Sequence, residues 1–227
     1  MQIGDTVDFT ITVTAKKGAE GYVLHDQMSD GLTLIENSIA VKVGEDALTV
    51  GTDYTVNTNP EENADDPNCV FEITFKEEYL NAITEDTVIT VTYQAVVNEK
   101  AVVGTDPITN KAILDYGDNS HVDTDEGKTE IYTYDFVLTK TDSSEDPQIL
   151  TGAEFKLYSS EEGEDAIQFV YDEDNATYRV ATAEEISSGD ISTTDTIKVG
   201  RATISGLAGK SYWLEETKAR DGYHKLE

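Results

Sequence analysis

The sequence predicts an all-β protein built from two tandem β-sandwich domains. Two stretches carry this prediction, residues 6–14 and 89–97, in which apolar side chains alternate with polar ones. A period of two is typical of a strand with one buried face. Short apolar or β-branched runs, separated by polar turn-forming pieces, fill much of the remaining chain, and this spacing favours a sandwich over any α/β arrangement.

The first domain is assigned to residues 1–132. Residues 57–68 contain two prolines and several carboxylates, which is the composition of an exposed loop. Residues 77–83 form at most a short helix. In chain order, the predicted strands cover residues 6–14, 22–24, 32–35, 39–43, 70–75 and 89–97.

The second domain, a smaller sandwich, is assigned to residues 133–227. The polar, glycine-bearing segment 116–127 ends the first region, and residues 128–140 follow it as one extended stretch. Residues 183–186 are predicted to form one helical turn, and no more than one, because serine and glycine follow directly. The predicted strands cover residues 136–140, 153–158, 168–171, 177–180, 197–204 and 212–215.

Composition excludes several classes of function. The 227-residue chain has a formal net charge of -30 and 38% hydrophobic residues, so it can fold beneath a solvated anionic surface. That surface repels nucleic acid and anionic lipid, and no apolar run is long enough to insert into a membrane.

Cys69 is the single cysteine, so an intrachain disulfide is impossible. Residues 1–5 do not form a signal peptide, and we expect both natural ends to lie outside this sequence.

The most specific string lies near the C-terminus, where residues 212–223 are Y-W-L-E-E-T-K-A-R-D-G-Y. It resembles the E-box of CnaB-type domains in Gram-positive pilins and adhesins, Y-x-L-x-E-T-x-A-P-x-G-Y. The departure is Arg220, which stands where the family has proline and leaves the register of the glutamate intact. Residues 136–142 and 150–158 resemble the first two strands of the same family, in which a lysine precedes the pattern L-x-G-A-x-F.

This resemblance implies that Lys140 is a nucleophile and Glu216 an acid/base group in forming an intramolecular Lys–Asn isopeptide bond. A lysine buried in an apolar core is disfavoured as an ammonium, and its neutral amine can attack the carboxamide carbon of an asparagine. A buried, protonated glutamate polarises the carboxamide and moves protons while ammonia leaves. The alternative is a surface lysine at a strand end and a solvated carboxylate.

The resemblance also predicts where the two side chains lie. We expect Lys140 and Glu216 on neighbouring strands, with both side chains directed into the core. The acceptor asparagine of such domains lies one strand beyond the G-Y segment, and we expect that last strand after residue 227.

The first domain resembles the CnaA-like or D2-type domain that precedes a CnaB domain in pilin backbones. Three strings carry the likeness, I-G-D-T-V-D-F-T-I at residues 3–11, D-Q-M-S-D-G-L at 26–32 and N-K-A at 110–112. In that family the aspartate and asparagine of the last two strings act as proton shuttle and acceptor, which points to Asp26 and Asn110. Both domains are then Ig-like, Cna-type sandwiches. The alternative for this pair is a turn-forming aspartate and a strand-end asparagine.

The lysine partner of Asn110 is harder to place. In the D2-type family it lies on a strand before the I-G-D segment, so we expect that first strand upstream of residue 1. Lys16 and Lys17 are the nearest alternatives, but they precede Gly18 after the first predicted strand. That position predicts an exposed hairpin loop, in which neither lysine is buried.

No metal site or cofactor is predicted. The acidic clusters 115–126 and 172–175 suit the oxygen-ligand preference of calcium but lack the spacing of an EF-hand loop, so solvated loops are expected. His25, His121 and His224 form no metal-ligand spacing with one another or with Cys69. No nucleophile elbow or glycine-rich phosphate loop occurs.

The resemblances imply a structural stalk or pilus-shaft segment, extracellular and anchored to the cell wall or pilus, and not an enzyme. The implied partners are sortase and neighbouring pilin or wall components. Two alternatives stay open: an adhesin that binds a host surface ligand through its loops, and accessory modules of a secreted carbohydrate-active enzyme. The absence of a Y-P-K pilin string fits a stalk or an incomplete backbone subunit equally, and no pair of carboxylates is singled out for catalysis.

Overall fold

The structure is a computed structural model that describes residues 1–60, 69–101, 103–104, 106–117, 122–124, 126–163 and 165–225. Strands account for 52% of the residues and helices for 5%, which confirms the predicted all-β fold class. The chain divides into two compact units. We call Thr6–Val96 with Ile108–Ile131 the N-terminal sandwich, and Met1–Asp5, Val97–Pro107 and Tyr132–Glu227 together the C-terminal sandwich.

Two sheets form the N-terminal sandwich. Its elements are β1 (Thr6–Ala15), β2 (Val23–Met28), β3 (Leu32–Val43), β4 (Asp46–Ala47), β5 (Tyr54–Asn57), β6 (Cys69–Phe75), α1 (Glu77–Asn81), β7 (Thr87–Val97), β8 (Ile108–Tyr116), β9 (Val122–Asp123) and β10 (Gly127–Ile131). One sheet has the order β1-β7-β3-β4 and the other β10-β8-β2-β6-β5, with β9 paired to β8. Strands β1 and β10 therefore lie at sheet edges.

The alternating pattern of β1 and β7 places their apolar side chains in the core. The two strands pair antiparallel, with Phe9 opposite Tyr93 and Ile11 opposite Val91. The rings of Phe9 and Tyr93 stack with centroids 5.2 Å apart, and Phe71 of β6 meets Tyr93 edge-on at 4.9 Å. Each fully buried side chain of this size contributes roughly 1.5–3 kcal/mol to folding, so this cluster holds the two sheets together.

The C-terminal sandwich also has two sheets. Its strands are β11 (Tyr134–Thr139), β12 (Ala153–Tyr158), β13 (Phe169–Asp172), β14 (Thr177–Val180), β15 (Thr193–Thr194), β16 (Ile197–Val199), β17 (Arg201–Leu207) and β18 (Trp213–Lys218), with α2 (Ala183–Ser188) after β14. One sheet has the order β11-β17-β14-β13-β15 and the other β16-β12-β18. Alternation along β12 buries Ala153, Phe155 and Leu157 between them.

Residues 1–5 pack with the C-terminal sandwich, although the sequence assigned them to the first domain. Ile3 is buried, and its backbone N–H donates to the carbonyl of Gly206 at 2.9 Å. Gly206 has φ +80, and a Cβ there would lie 2.5 Å from Ile3 Cδ1. Glycine adopts this positive φ without strain and leaves room for the Ile3 side chain. Residues 1–5 can therefore pack closely against β17.

Local predictions differ from the structure at several places. The strands expected at 32–35 and 39–43 form one strand, β3, and β5 and β8 were not predicted. The expected single strand at 197–204 is divided at Gly200 into β16 and β17, which belong to different sheets. The extended stretch 128–140 is likewise divided between β10 and β11. Residues 61–68 of the predicted loop, and residues 118–121 and 125 of the acidic segment, lie outside the described residues.

Both predicted helical turns occur as short helices. Helix α2 has a capping box, in which the Thr182 hydroxyl accepts from Glu185 N and the Glu185 carboxylate accepts from Thr182 N. Gly189 ends it in the left-handed conformation with φ 70. Neither helix, nor any other helix in the described parts of the chain, is long and apolar enough to span a membrane.

Candidate functional site

A buried polar triad, Asp26, Tyr93 and Asn110, lies in the core of the N-terminal sandwich. Asp26 of β2 is 0% exposed and Asn110 of β8 is 4% exposed. The Tyr93 hydroxyl of β7 donates to Asp26 Oδ2 at 2.5 Å. Asn110 Nδ2 donates to Asp26 Oδ2 at 3.0 Å and to the Tyr93 oxygen at 2.7 Å. The predicted pair is therefore in direct contact, with a tyrosine bridging it.

The strand pattern explains why the aspartate is buried. Side chains of β2 alternate outward and inward, and Asp26 occupies an inward position between Leu24 and Met28. Burial raises the pKa of Asp26 to about 6, although hydrogen bonds from Tyr93 and Asn110 act in the opposite direction. Burial, followed by the charge of Asp26, raises the pKa of Tyr93. Asp26 can therefore exchange a proton near neutral pH, while Tyr93 stays a donor.

The triad leaves polar atoms unsatisfied. Asp26 Oδ1 and Asn110 Oδ1 are buried and have no hydrogen-bond partner among the described residues. Each such atom costs on the order of 1–3 kcal/mol. Most buried polar side-chain atoms in proteins have a hydrogen-bond partner, so these two oxygens distinguish the triad from the rest of the core.

No lysine among the described residues forms a hydrogen bond or ion pair with Asp26 or Asn110. Lys16 and Lys17 lie in the exposed loop after β1, as predicted, and Lys16 Nζ is 3.5 Å from Asp86 Oδ2. A groove of about 900 Å³ opens beside the triad instead. Its lining includes residues 9–14 of β1, 127–129 of β10, Tyr93 and Asn110, together with Lys16 and Lys17 of the loop that follows β1.

A second buried pair lies in the C-terminal sandwich. Lys140 Nζ is 3.1 Å from Glu216 Oε1, and the two side chains are 15% and 1% exposed. The ammonium group also lies over the ring of Phe155, 5.9 Å from its centroid. The alternative of a solvated carboxylate at Glu216 disagrees with this burial.

The two residues lie on facing sheets, so the expectation of neighbouring strands was wrong. Lys140 directly follows β11, which pairs with β17, whereas Glu216 lies on β18, which pairs with β12. The register of β18 shifts between Glu154 and Phe155 of β12, which places Glu216 opposite Phe155. The side chains consequently meet across the core and not along one ladder.

Other residues of the E-box have structural roles. The Tyr212 hydroxyl accepts from Ala208 N at 2.9 Å and donates to Gln2 Oε1 at 3.2 Å. The Thr217 hydroxyl donates to the Glu154 carbonyl at 3.1 Å, which ties β18 to β12. These contacts fix the strand that carries Glu216.

Sequence reasoning did not identify Tyr93 as a site residue. It was assigned only to the alternating face of residues 89–97. A tyrosine at the centre of a fully apolar strand face was an available signal, because a buried hydroxyl needs a hydrogen-bond partner.

The acidic cluster at 172–175 has a structural explanation. Asp172 Oδ1 accepts from Asp174 N at 3.0 Å, and Asp172 Oδ2 accepts from Asn175 Nδ2 at 2.7 Å. This network closes the tight turn between β13 and β14, and Asp172 lies in solvent.

Comparison with known proteins assigns the family. The profile described as Gram-positive pilin backbone subunit 2, Cna-B-like domain, matches residues 3–120, and the profile described as SpaA, prealbumin-like fold domain, matches residues 134–227. The chain therefore belongs to the family of Gram-positive pilin backbone subunits. It is homologous to the proteins that form pilus shafts, and this confirms the predicted family and the predicted shaft role.

Solved structures with this fold include several pilins. The pilus 2b backbone protein of group B streptococcus is 26% identical, with a TM-score of 0.65 and coverage of 100% of this chain and 83% of that one. The RrgB pilus backbone from Streptococcus pneumoniae is 16% identical, with a TM-score of 0.67 and coverage of 100% and 86%. Domains D2 and D3 of the major pilin SpaD from Corynebacterium diphtheriae are 22% identical, with a TM-score of 0.61 and coverage of 98% and 81%. None of the curated proteins matches the chain.

Proposed function

We propose that the chain is a segment of a pilus shaft whose two sandwiches are held by intramolecular Lys–Asn isopeptide bonds. The observation that carries this proposal is the buried contact between Asp26 and Asn110, at 3.0 Å, with an unsatisfied oxygen on each side chain. Such a link suits a protein that bears tension, because a covalent cross-link constrains the unfolded chain. Unlike a disulfide, it cannot be reduced.

The chemistry at Asn110 follows from the atoms that surround it. A neutral lysine amine attacks the carboxamide carbon, the new C–Nζ bond forms, and the C–Nδ2 bond breaks. The proton lost from Nζ is delivered to Nδ2, which leaves as ammonia. Asp26 Oδ2, 3.0 Å from Nδ2, is placed to carry that proton, and its pKa of about 6 suits both steps near neutral pH.

The attacking lysine comes from a segment other than the described strands, and that segment occupies the groove between β1 and β10. Both strands are sheet edges, so their outward backbone groups can pair with an added strand. The groove contains Asn110 and Tyr93 in its wall. A lysine on the added strand then points at the acceptor from the open side.

Lys140 is the nucleophile of the C-terminal sandwich. Attack requires loss of a proton from Nζ, and Glu216 Oε1 at 3.1 Å is the group placed to take it. Burial of Glu216 keeps that exchange out of water, which strengthens its effect on the reacting atoms. The acceptor asparagine belongs to a strand beside β11 and β18, which are edges of their sheets.

The protein is displayed outside the cell, where sortase joins it to neighbouring pilin or wall components. Membership of the pilin backbone family supports this role over an adhesin that binds a host ligand and over accessory modules of a carbohydrate-active enzyme. It also supports a structural and not an enzymatic function.

Immunoblots of detergent-boiled wall extracts from the parent cells test this role. A shaft subunit gives a ladder of high-mass species, which collapses to one short species when the sortase gene is deleted. A single sortase-dependent band would indicate a wall-anchored adhesin stalk. Release of all the protein into the medium would indicate a secreted enzyme module.

A further inference from the structure

Four titratable side chains, His25, Cys69, Glu72 and Asp115, lie together on the outward face of strands β8, β2 and β6. Asp26 points to the opposite face of this sheet. His25 of β2 is half-buried, and its Nδ1 lies 3.1 Å from Glu72 Oε1 of β6. Its Nε2 lies 3.2 Å from Asp115 Oδ2 of β8. Cys69 Sγ is 4.0 Å from the same Nδ1. Three strands thus contribute to one site.

A β-bulge brings the cysteine to this face. Cys69 and Glu72 are three residues apart on β6, and in a regular strand an odd spacing places side chains on opposite faces. The register shifts here, because Asp26 pairs with Phe71 while Gln27 pairs with Cys69. Val70 is therefore the extra residue. Bulges re-aim side chains in this way and are frequent next to functional sites.

We propose that His25 Nδ1, Cys69 Sγ and Glu72 Oε1 bind one Zn²⁺ ion. One ligand atom from each of these three residues lies within 4.8 Å of those of the other two. Ligand atoms of a tetrahedral zinc site are about 3.5 Å apart, given metal–ligand distances of about 2.0–2.3 Å. The observed separations of 3.1 Å and 4.0 Å lie on either side of that value, so small side-chain movements complete the site.

The donor set favours zinc over the hard cations. Calcium and magnesium take oxygen ligands, whereas a thiolate, an imidazole and a carboxylate together suit Zn²⁺. Water fills the fourth position of such a three-ligand site. Binding releases the thiol proton of Cys69, and the net charge of -30 raises the concentration of cations near the surface.

Asp115 is a positioning residue for the metal ligand. When His25 Nε2 carries the proton, it donates to Asp115 Oδ2 at 3.2 Å. The Nδ1 lone pair then faces Cys69 and Glu72. Removing a carboxylate that holds a metal-bound histidine in this manner typically lowers the metal affinity about 10- to 100-fold. The bound ion ties β2 to β6 directly behind the triad, independently of any isopeptide bond.

Cobalt binding to the untagged, reduced and metal-free 227-residue chain tests the site. Because Cys69 is the only cysteine, a thiolate-to-Co²⁺ charge-transfer band reports on this position alone. We expect a band at one equivalent of Co²⁺ that stoichiometric Zn²⁺ removes. His25→Gln and Glu72→Gln should abolish or strongly weaken it. Asp115→Asn should retain the band with an affinity about 10- to 100-fold lower.

Two further readouts separate the site from misfolding. His224→Gln is the matched control, because His224 is exposed in the C-terminal sandwich, and it should bind Co²⁺ as the wild type does. In the wild type, Zn²⁺ should slow alkylation of Cys69 and raise the thermal midpoint. Absence of a band in the wild type, or a band of unchanged strength in folded His25→Gln, overturns the proposal. In either case His25 is simply held between two carboxylates.

Discussion

Asn110 Nδ2 lies 3.0 Å from Asp26 Oδ2, and both side chains are buried between the sheets of the N-terminal sandwich. The amide nitrogen of Asn110, which would leave as ammonia, is thus already in contact with the carboxyl group that would carry a proton to it. Burial raises the pKa of Asp26 to about 6, so the stability of the sandwich should depend on pH near this value.

Asp26→Asn should change how stability depends on pH. A carboxyl group whose folded pKa rises from 3.8 to about 6 stabilises the fold below pH 4, and this contribution is lost as pH rises through 6. The loss amounts to about 3 kcal/mol at 1.36 kcal/mol per pKa unit. The variant should therefore be more stable than the wild type at pH 7 by up to about 3 kcal/mol, and equal to it near pH 3.5. Urea unfolding followed by NMR signals of β2 and β8 measures this difference. A difference that does not vary with pH contradicts the assignment.

Tyr93→Phe should destabilise the same sandwich without leaving a cavity. The hydroxyl donates to Asp26 and accepts from Asn110, and its removal leaves both partners short of a bond at a cost of about 1–3 kcal/mol. The pKa of Asp26 should also rise further, because a hydrogen bond that lowers it is lost. An NMR titration of the Asp26 carboxyl measures the shift. An unchanged pKa in the folded variant would show that Tyr93 only fills space.

Lys140→Met should destabilise the C-terminal sandwich by about 3 kcal/mol, because removing one partner leaves a buried group uncompensated. The double variant Lys140→Met with Glu216→Gln should recover most of that loss. Trp213, the single tryptophan, lies on β18, so its fluorescence follows unfolding of this sandwich. The control is Lys156→Met, since the pair of Lys156 and Asp195 is more exposed and should matter far less. Equal losses in both single variants would argue against a special role for Lys140.

An intact-mass measurement tests the state of both sites in the 227-residue chain. Lys140 contacts Glu216 and Phe155, and Asn110 contacts Asp26 and Tyr93, so no lysine–asparagine pair is assembled at either site in the described residues. The expected mass is the one calculated from the sequence. A species lighter by one ammonia would show that an asparagine within the chain had already reacted.

Much of the fold could be predicted because alternation fixes which side of a strand is buried. The pattern of β1 and β7 was sufficient to assign their inward faces, and the E-box register correctly predicted that the Glu216 side chain points into the core. The corner at Gly200 was missed, because strand-forming residues on both sides of a glycine do not show that the chain changes sheets there.

Contacts between distant strands could not be predicted. His25 and Cys69 are 44 residues apart, and they meet only because β2 pairs with β6 and the bulge at Val70 turns the cysteine outward. Neither the pairing nor the bulge has a local signature in the sequence. The same reason explains Tyr93, whose role depends on Asn110 17 residues later and Asp26 67 residues earlier.

Tandem mass spectrometry of the full-length protein from the cell wall tests directly whether both isopeptide bonds form. We expect two cross-linked peptides, one containing Asn110 and one containing Lys140, each lighter by one ammonia than the sum of its two component peptides. Asp26→Ala should abolish only the first link, and Glu216→Ala only the second, so each variant is the control for the other. Unlinked peptides containing Asn110 and Lys140 in the wild type, or links that survive both substitutions, would contradict this expectation.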